Sequence, residues 1–147
     1  MLLQKTHDFF MNEALKEAKK ALDKDEIPIG AVVVCNGQII SRCHNLTETL
    51  NDPTAHAEMQ AITSATNYLG GKYLDQCQLY VTVEPCAMCA GALYWAHIGH
   101  LIFGTSDPKR GYKLFGDSIL HPKTQITSGI MAEECSQLMI DFFKAKR

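Results

Sequence analysis

Thr82-Val83-Glu84-Pro85-Cys86-Ala87-Met88-Cys89-Ala90-Gly91 closes a β-branched, apolar run and then presents two cysteines three positions apart. On a helix that spacing sets both sulfurs on one face, a turn apart. From there both thiolates can reach one Zn²⁺ at about 2.3 Å. Pro85, just ahead of Cys86, suits a helix entrance, where its missing N–H would have no partner anyway. A helix N-terminus also favours the thiolate, the form a metal needs. Strand, turn and helix in this order predict an α/β unit with a site at the carboxyl end of the strand.

Upstream, Thr54-Ala55-His56-Ala57-Glu58 supplies the remaining parts. His56 offers a third, neutral ligand. Three protein ligands leave one position of a tetrahedral ion open, the arrangement of catalytic zinc. Glu58 is then placed to move protons. Cys-x-x-Cys alone also describes a redox pair or half of a structural zinc site, and His-Ala-Glu alone describes ordinary helix surface. The two together, separated by about thirty residues that include a strand, point to metal chemistry. A fourth protein ligand, with Cys77 or His44 as candidates, would instead close the site and make the chain a zinc-stabilised binding module.

The 147 residues predict a single domain, residues 1–147, long enough for a full core. No apolar run is long enough to span a membrane, and no secretory signal is read at the N-terminus. The expected setting is therefore cytoplasmic, with Cys35, Cys43, Cys77 and Cys135 as reduced residues in or near the core. A net charge of −2 does not suggest a general nucleic-acid binder, so RNA contact has to come from a local basic patch.

Apolar positions Phe9, Phe10, Ala14, Leu15, Ala18, Ala21 and Leu22 predict an amphipathic helix over residues 8–24. The run 31–35, the turn Asn36-Gly37 and the return 38–43 predict a hairpin. His44 reads as a structural residue at a strand end. Asp52-Pro53 reads as an N-cap followed by proline at the first helical position, opening a helix to about residue 67. Further strands are expected over 78–83 and 101–103, with a helix bearing Met88, Leu93, Tyr94 and Trp95 between them. Residues 104–124 read as an irregular segment made basic by Lys109, Arg110 and Lys113. A short strand at 125–127 and a helix over 132–144 close the chain.

With these residues in view, the chain resembles the cytidine deaminase-like superfamily, and within it the tRNA-specific adenosine deaminases. His56-x-Glu58 with Pro85-Cys86-x-x-Cys89 is the signature of the zinc nucleobase deaminases. The resemblance extends to Ile27-Pro28-Ile29-Gly30-Ala31, His44-Asn45-Leu46, Asp52 through Glu58, Phe103-Gly104, Gly129-Ile130 and Asp141-Phe142-Phe143. It implies a three-layer α/β/α domain with a five-stranded mixed sheet, a homodimer, and one Zn²⁺ per subunit on His56, Cys86 and Cys89. It implies Glu58 as the catalytic acid–base, and Asn45, Ala57 and Asp107 as substrate-binding residues. The implied partner is the tRNA anticodon loop, whose wobble adenosine becomes inosine, with Lys109 and Arg110 as candidate RNA contacts. Ala96, His97 and His100 depart from the arginine-bearing pattern of that family, and Tyr94-Trp95-Ala96 resembles bacterial guanine deaminases. A free purine base or nucleoside, guanine foremost, is the alternative substrate.

Overall fold

The structure, a computed structural model, describes residues 2–147, with side chains from Lys5 onward. Its elements in order are α1 (Leu2–Asp23), β1 (Gly30–Cys35), β2 (Gln38–His44), α2 (Ala57–Leu69), β3 (Cys77–Val83), α3 (Ala87–Ala96), β4 (His100–Thr105), β5 (Gln125–Ser128) and α4 (Ala132–Ala145). Five strands form one mixed sheet in the order β2-β1-β3-β4-β5. β1 runs antiparallel to both β2 and β3, whereas β3, β4 and β5 are mutually parallel. Asn36 and Gly37 both have positive φ, the backbone a two-residue hairpin turn requires.

Side-chain alternation along the strands divides the core in two. Val32, Val34, Tyr80 and Ile102 pack with Phe10, Met11, Ala14 and Leu15 of α1 and Cys135 of α4. Ala31, Val33, Leu79, Val81, Leu101 and Phe103 pack on the opposite face with Ala57, Ala61 and Ala65 of α2 and Ala90 and Leu93 of α3. The result is the expected α/β/α sandwich. Small residues on the inner helix faces bring the helix axes close to the sheet. At Gly30 this is extreme: a Cβ there would overlap the carbonyl oxygen of Ala14 and the nitrogen of Ala18.

Several boundaries differ from the sequence reading. α1 begins earlier than residue 8, and its buried stripe is Phe10, Met11, Ala14, Leu15, Ala18 and Ala21, with Phe9 59% exposed. α2 begins at Ala57, with His56 as N-cap, and not at Asp52-Pro53. Asp52 instead accepts 2.8 Å hydrogen bonds from the amide and hydroxyl of Thr54, a local turn that consumes its capping capacity. Likewise Cys86 is the N-cap of α3, and Pro85 stands one residue outside the helix. The 104–124 segment is more ordered than expected. It contains 3₁₀ turns at Tyr112–Phe115 and Asp117–Ile119 and sends Tyr112 and Leu120 into the core.

Candidate metal centre and active site

Two helices begin at the carboxyl end of β3 or beside it, and each replaces its capping side chain with a metal donor. N-caps are ordinarily Ser, Thr, Asp or Asn, whose oxygens satisfy the first helical N–H groups. Here the N-caps of α2 and α3 are His56 and Cys86, and neither side chain makes a capping bond. Cys89 sits one turn into α3 and is fully buried. The Sγ atoms of Cys86 and Cys89 lie 3.6 and 3.5 Å from Nδ1 of His56.

These separations fit a zinc ion. Zn–S bonds of about 2.3 Å and Zn–N bonds of about 2.0–2.1 Å at a tetrahedral angle put sulfur and nitrogen about 3.6 Å apart. One nitrogen and two sulfur donors are also the set that zinc prefers over harder, oxygen-seeking cations. The three donor atoms lie within 4.8 Å of one another, and the group contains no fourth protein ligand among the described residues. Cys77 stands at the opposite end of β3, paired with Cys35 of β1. His44 is engaged by Glu17 at 3.3 Å and Lys24 at 3.1 Å. The closed, four-ligand alternative thus finds no support in either residue.

The donors also share protons in a way that suits metal capture. A hydrogen bond from Cys89 pushes the Cys86 thiol down to about 4, with His56 adding to the effect against the cost of burial. The same pairing, reinforced by burial, pushes the Cys89 thiol up. The Cys86 sulfur in turn holds the His56 ring above its ordinary value. An ion entering such a group displaces protons and takes their place. Glu58, at the second position of α2, is buried, and burial pushes its carboxyl up to about 7. That is the range in which a carboxyl both takes and gives protons near neutrality.

Asn45 is 4% exposed, and its amide nitrogen donates to the Thr47 hydroxyl at 3.4 Å. Gln60 ties its segment to α2 by donating to the carbonyls of His44 and Ala55. Ala57 is the first residue of α2 and fully buried. Asp107 accepts 3.1 Å bonds from the amides of both Lys109 and Arg110, whose side chains are exposed.

Three buried carboxylates escaped the sequence reading: Glu17, which engages His44 and Lys20, and two that hold loops at the site, Glu26 and Glu84. Glu26, fully buried, accepts from the amides of Glu48 and Thr49 and the hydroxyls of Thr47 and Thr49, pinning the loop that leads to His56. Burial opposes its charge, but these bonds outweigh burial and hold the carboxyl below its ordinary value. Glu84, 6% exposed, accepts from the amides of Asp107 and Lys113. Only its place directly before Pro85-Cys86 hinted at a role.

A three-layer sandwich with an open N/S₂ centre beside a buried carboxyl defines a zinc deaminase architecture. The model for the cytidine and deoxycytidylate deaminase zinc-binding region matches residues 4–105, and the chain belongs to that family. Within it, the chain is 44% identical to the tRNA-specific adenosine deaminase of Bacillus subtilis (strain 168) over 145 residues, covering 95% of this chain and 90% of that protein. A solved structure from a study of tRNA:A34 deaminases, A-to-I editing enzymes at the wobble position of transfer RNA, superposes with a TM-score of 0.82. It is 41% identical and covers 88% of this chain and 98% of its own. The guanine deaminase of Bacillus subtilis is 42% identical, but the match covers 68% of this chain and 64% of that one, with a TM-score of 0.65.

Proposed function

We propose that this chain hydrolyses adenosine to inosine at the wobble position of tRNA, adding water and releasing ammonia. Near-full-length identity to a tRNA-specific adenosine deaminase carries the reading, and the donor set beside Glu58 supplies its chemistry. His56, Cys86 and Cys89 hold one Zn²⁺ per subunit. The ion, when bound, supplies the Lewis-acid charge that lets water act as a nucleophile near neutral pH.

Glu58 accepts a proton from the attacking water, delivers it to the adenine ring nitrogen next to C6, and then helps protonate the departing ammonia. Its burial favours both halves of that cycle, since neither the charged nor the neutral carboxyl is strongly preferred. Asn45 reads the edge of the extruded base with its amide. Ala57 presents a backbone N–H at the helix start, where the helix itself supplies no acceptor. Asp107 fixes the turn that carries Lys109 and Arg110, and these two cations meet the phosphates of the anticodon loop.

Residues 1–147 act as one deaminase domain in this reading, as a homodimer in the cytoplasm. Exposed apolar side chains such as Trp95, Leu114 and Phe115 favour a partner subunit. No described helix is long and apolar enough to cross a membrane. The guanine deaminase reading draws on Tyr94-Trp95-Ala96 and on the shorter match noted above. Zinc-loaded protein offered wobble-adenosine tRNA and free guanine in parallel separates the two. Inosine in the RNA, abolished by Glu58→Ala, is the expected result. Ammonia from guanine with untouched RNA would replace the editing reading with the small-molecule one.

A further inference from the structure

The buried carboxylate of Glu84 has no part in the reaction as described, yet it is the joint between the metal-binding helix tip and the basic loop. One oxygen accepts the Asp107 amide at 3.0 Å and the other accepts the Lys113 amide at 3.1 Å. The first marks the entry of the loop and the second its exit. Between these feet, Asp107 accepts the amides of Lys109 and Arg110. Gly111 bridges to Cys86 and packs so closely on Glu84 that a Cβ there would overlap the carboxylate. The Tyr112 amide donates to the Pro85 carbonyl at 2.9 Å. The backbone ties that leave the loop thus run to Glu84-Pro85-Cys86, the stretch that also delivers a metal donor, while the Tyr112 ring packs on Phe103.

We propose that Glu84 is a positioning residue for RNA: it holds the Lys109–Arg110 tip in register with the metal centre, so that the phosphate grip and the reacting base are set by one rigid piece. The inference rests on the tRNA reading. The tip itself, Pro108 to Arg110, is exposed and has no packing of its own, whereas Gly111 and Tyr112 behind it are buried. A carboxylate with two acceptor oxygens can hold both of its ends at once, and it is shielded from competing water. Ordering the loop in advance removes an entropic cost from binding. Glu84→Gln changes one acceptor into a donor that faces an N–H, releasing one foot of the loop with almost no change in volume.

The test measures binding of an anticodon stem-loop RNA with wobble adenosine to zinc-loaded protein across a salt series, together with steady-state kinetics and bound zinc. For Glu84→Gln, full zinc content, a KM about tenfold higher and a kcat within about threefold are expected. Lys109→Ala with Arg110→Ala, on the exposed tip, should make the dependence of log K on log salt shallower by about 1.4, two phosphate contacts on a single strand. Adding Glu84→Gln to that pair should then weaken binding by less than about twofold, because the tip it positions is gone. Unchanged RNA affinity in Glu84→Gln, or a full loss added on top of the double variant, overturns the positioning role. A salt slope unaffected by the double variant also overturns it, and does so even where Glu84→Gln fails to fold. Wild-type protein that neither binds nor edits the RNA would instead remove the tRNA reading itself.

Discussion

At the scale of single residues, the division of labour between metal donors and the proton carrier makes separable predictions. Glu58→Gln keeps the shape and the buried position but removes the exchangeable carboxyl. We expect zinc content to stay near that of the wild type while kcat falls by about 10²–10⁴-fold, the usual yield of a positioned acid–base. Parallel metal analysis and turnover measurement check this, and a loss of zinc would make Glu58 a structural residue. Cys89→Ser should behave oppositely and lose the ion first, since a hydroxyl is a poor, protonated substitute for a thiolate. These donors were legible in the sequence because coordination imposes both residue type and spacing. Glu84 and Glu26 were not legible. A carboxylate beside a proline, or at a helix end, reads as solvated surface until the backbone amides that surround it are known.

At the scale of elements, the strands and helices followed from periodicity, but three helix starts did not, and two of these are capped by metal donors. Asp52-Pro53 carries the usual signals of an N-terminus, yet the Asp52 carboxylate is satisfied by Thr54 and the helix waits for His56. A cap made by a metal donor has no ordinary capping signature. The crossing of α1 over β1 offers a direct test: Gly30→Ala must push the α1 backbone away at Ala14 and Ala18. Urea unfolding should show a loss of about 1–3 kcal/mol, the scale of overpacking. The loop ahead of His56 gives a pH test through Glu26. Its folded carboxyl lies below the 4.5 of its ordinary value. Its contribution to stability is therefore present above about pH 4.5 and lost as pH falls through the depressed folded value. Glu26→Gln should cost about 1–3 kcal/mol at neutral pH. The gap to wild type should narrow on acidification below pH 4.5, and a gap that widened there would reverse the assigned sign.

At the scale of the whole molecule, the ion is a fastening between α2 and α3, two helices on the same face of the sheet. A ligand that binds only the folded chain stabilises it in proportion to the logarithm of its concentration over Kd. Removing zinc with a chelator should lower Tm, and restoring zinc should recover it. Equal melting temperatures with and without the ion would mean that the helix tips are held without it. The donors also impose an order on synthesis. His56 and Cys89 stand 33 positions apart, a closure whose entropic cost rises by only about 0.6 kcal/mol per doubling of loop length. When Cys89 emerges from the ribosome the donor set is complete, while β4, β5 and α4 lie further along the chain and are still to emerge. At that moment β3 has β1 beside it and its other edge bare. The clasp can close on three of the five strands, and a cell short of zinc leaves two thiols uncovered on the nascent chain for that interval.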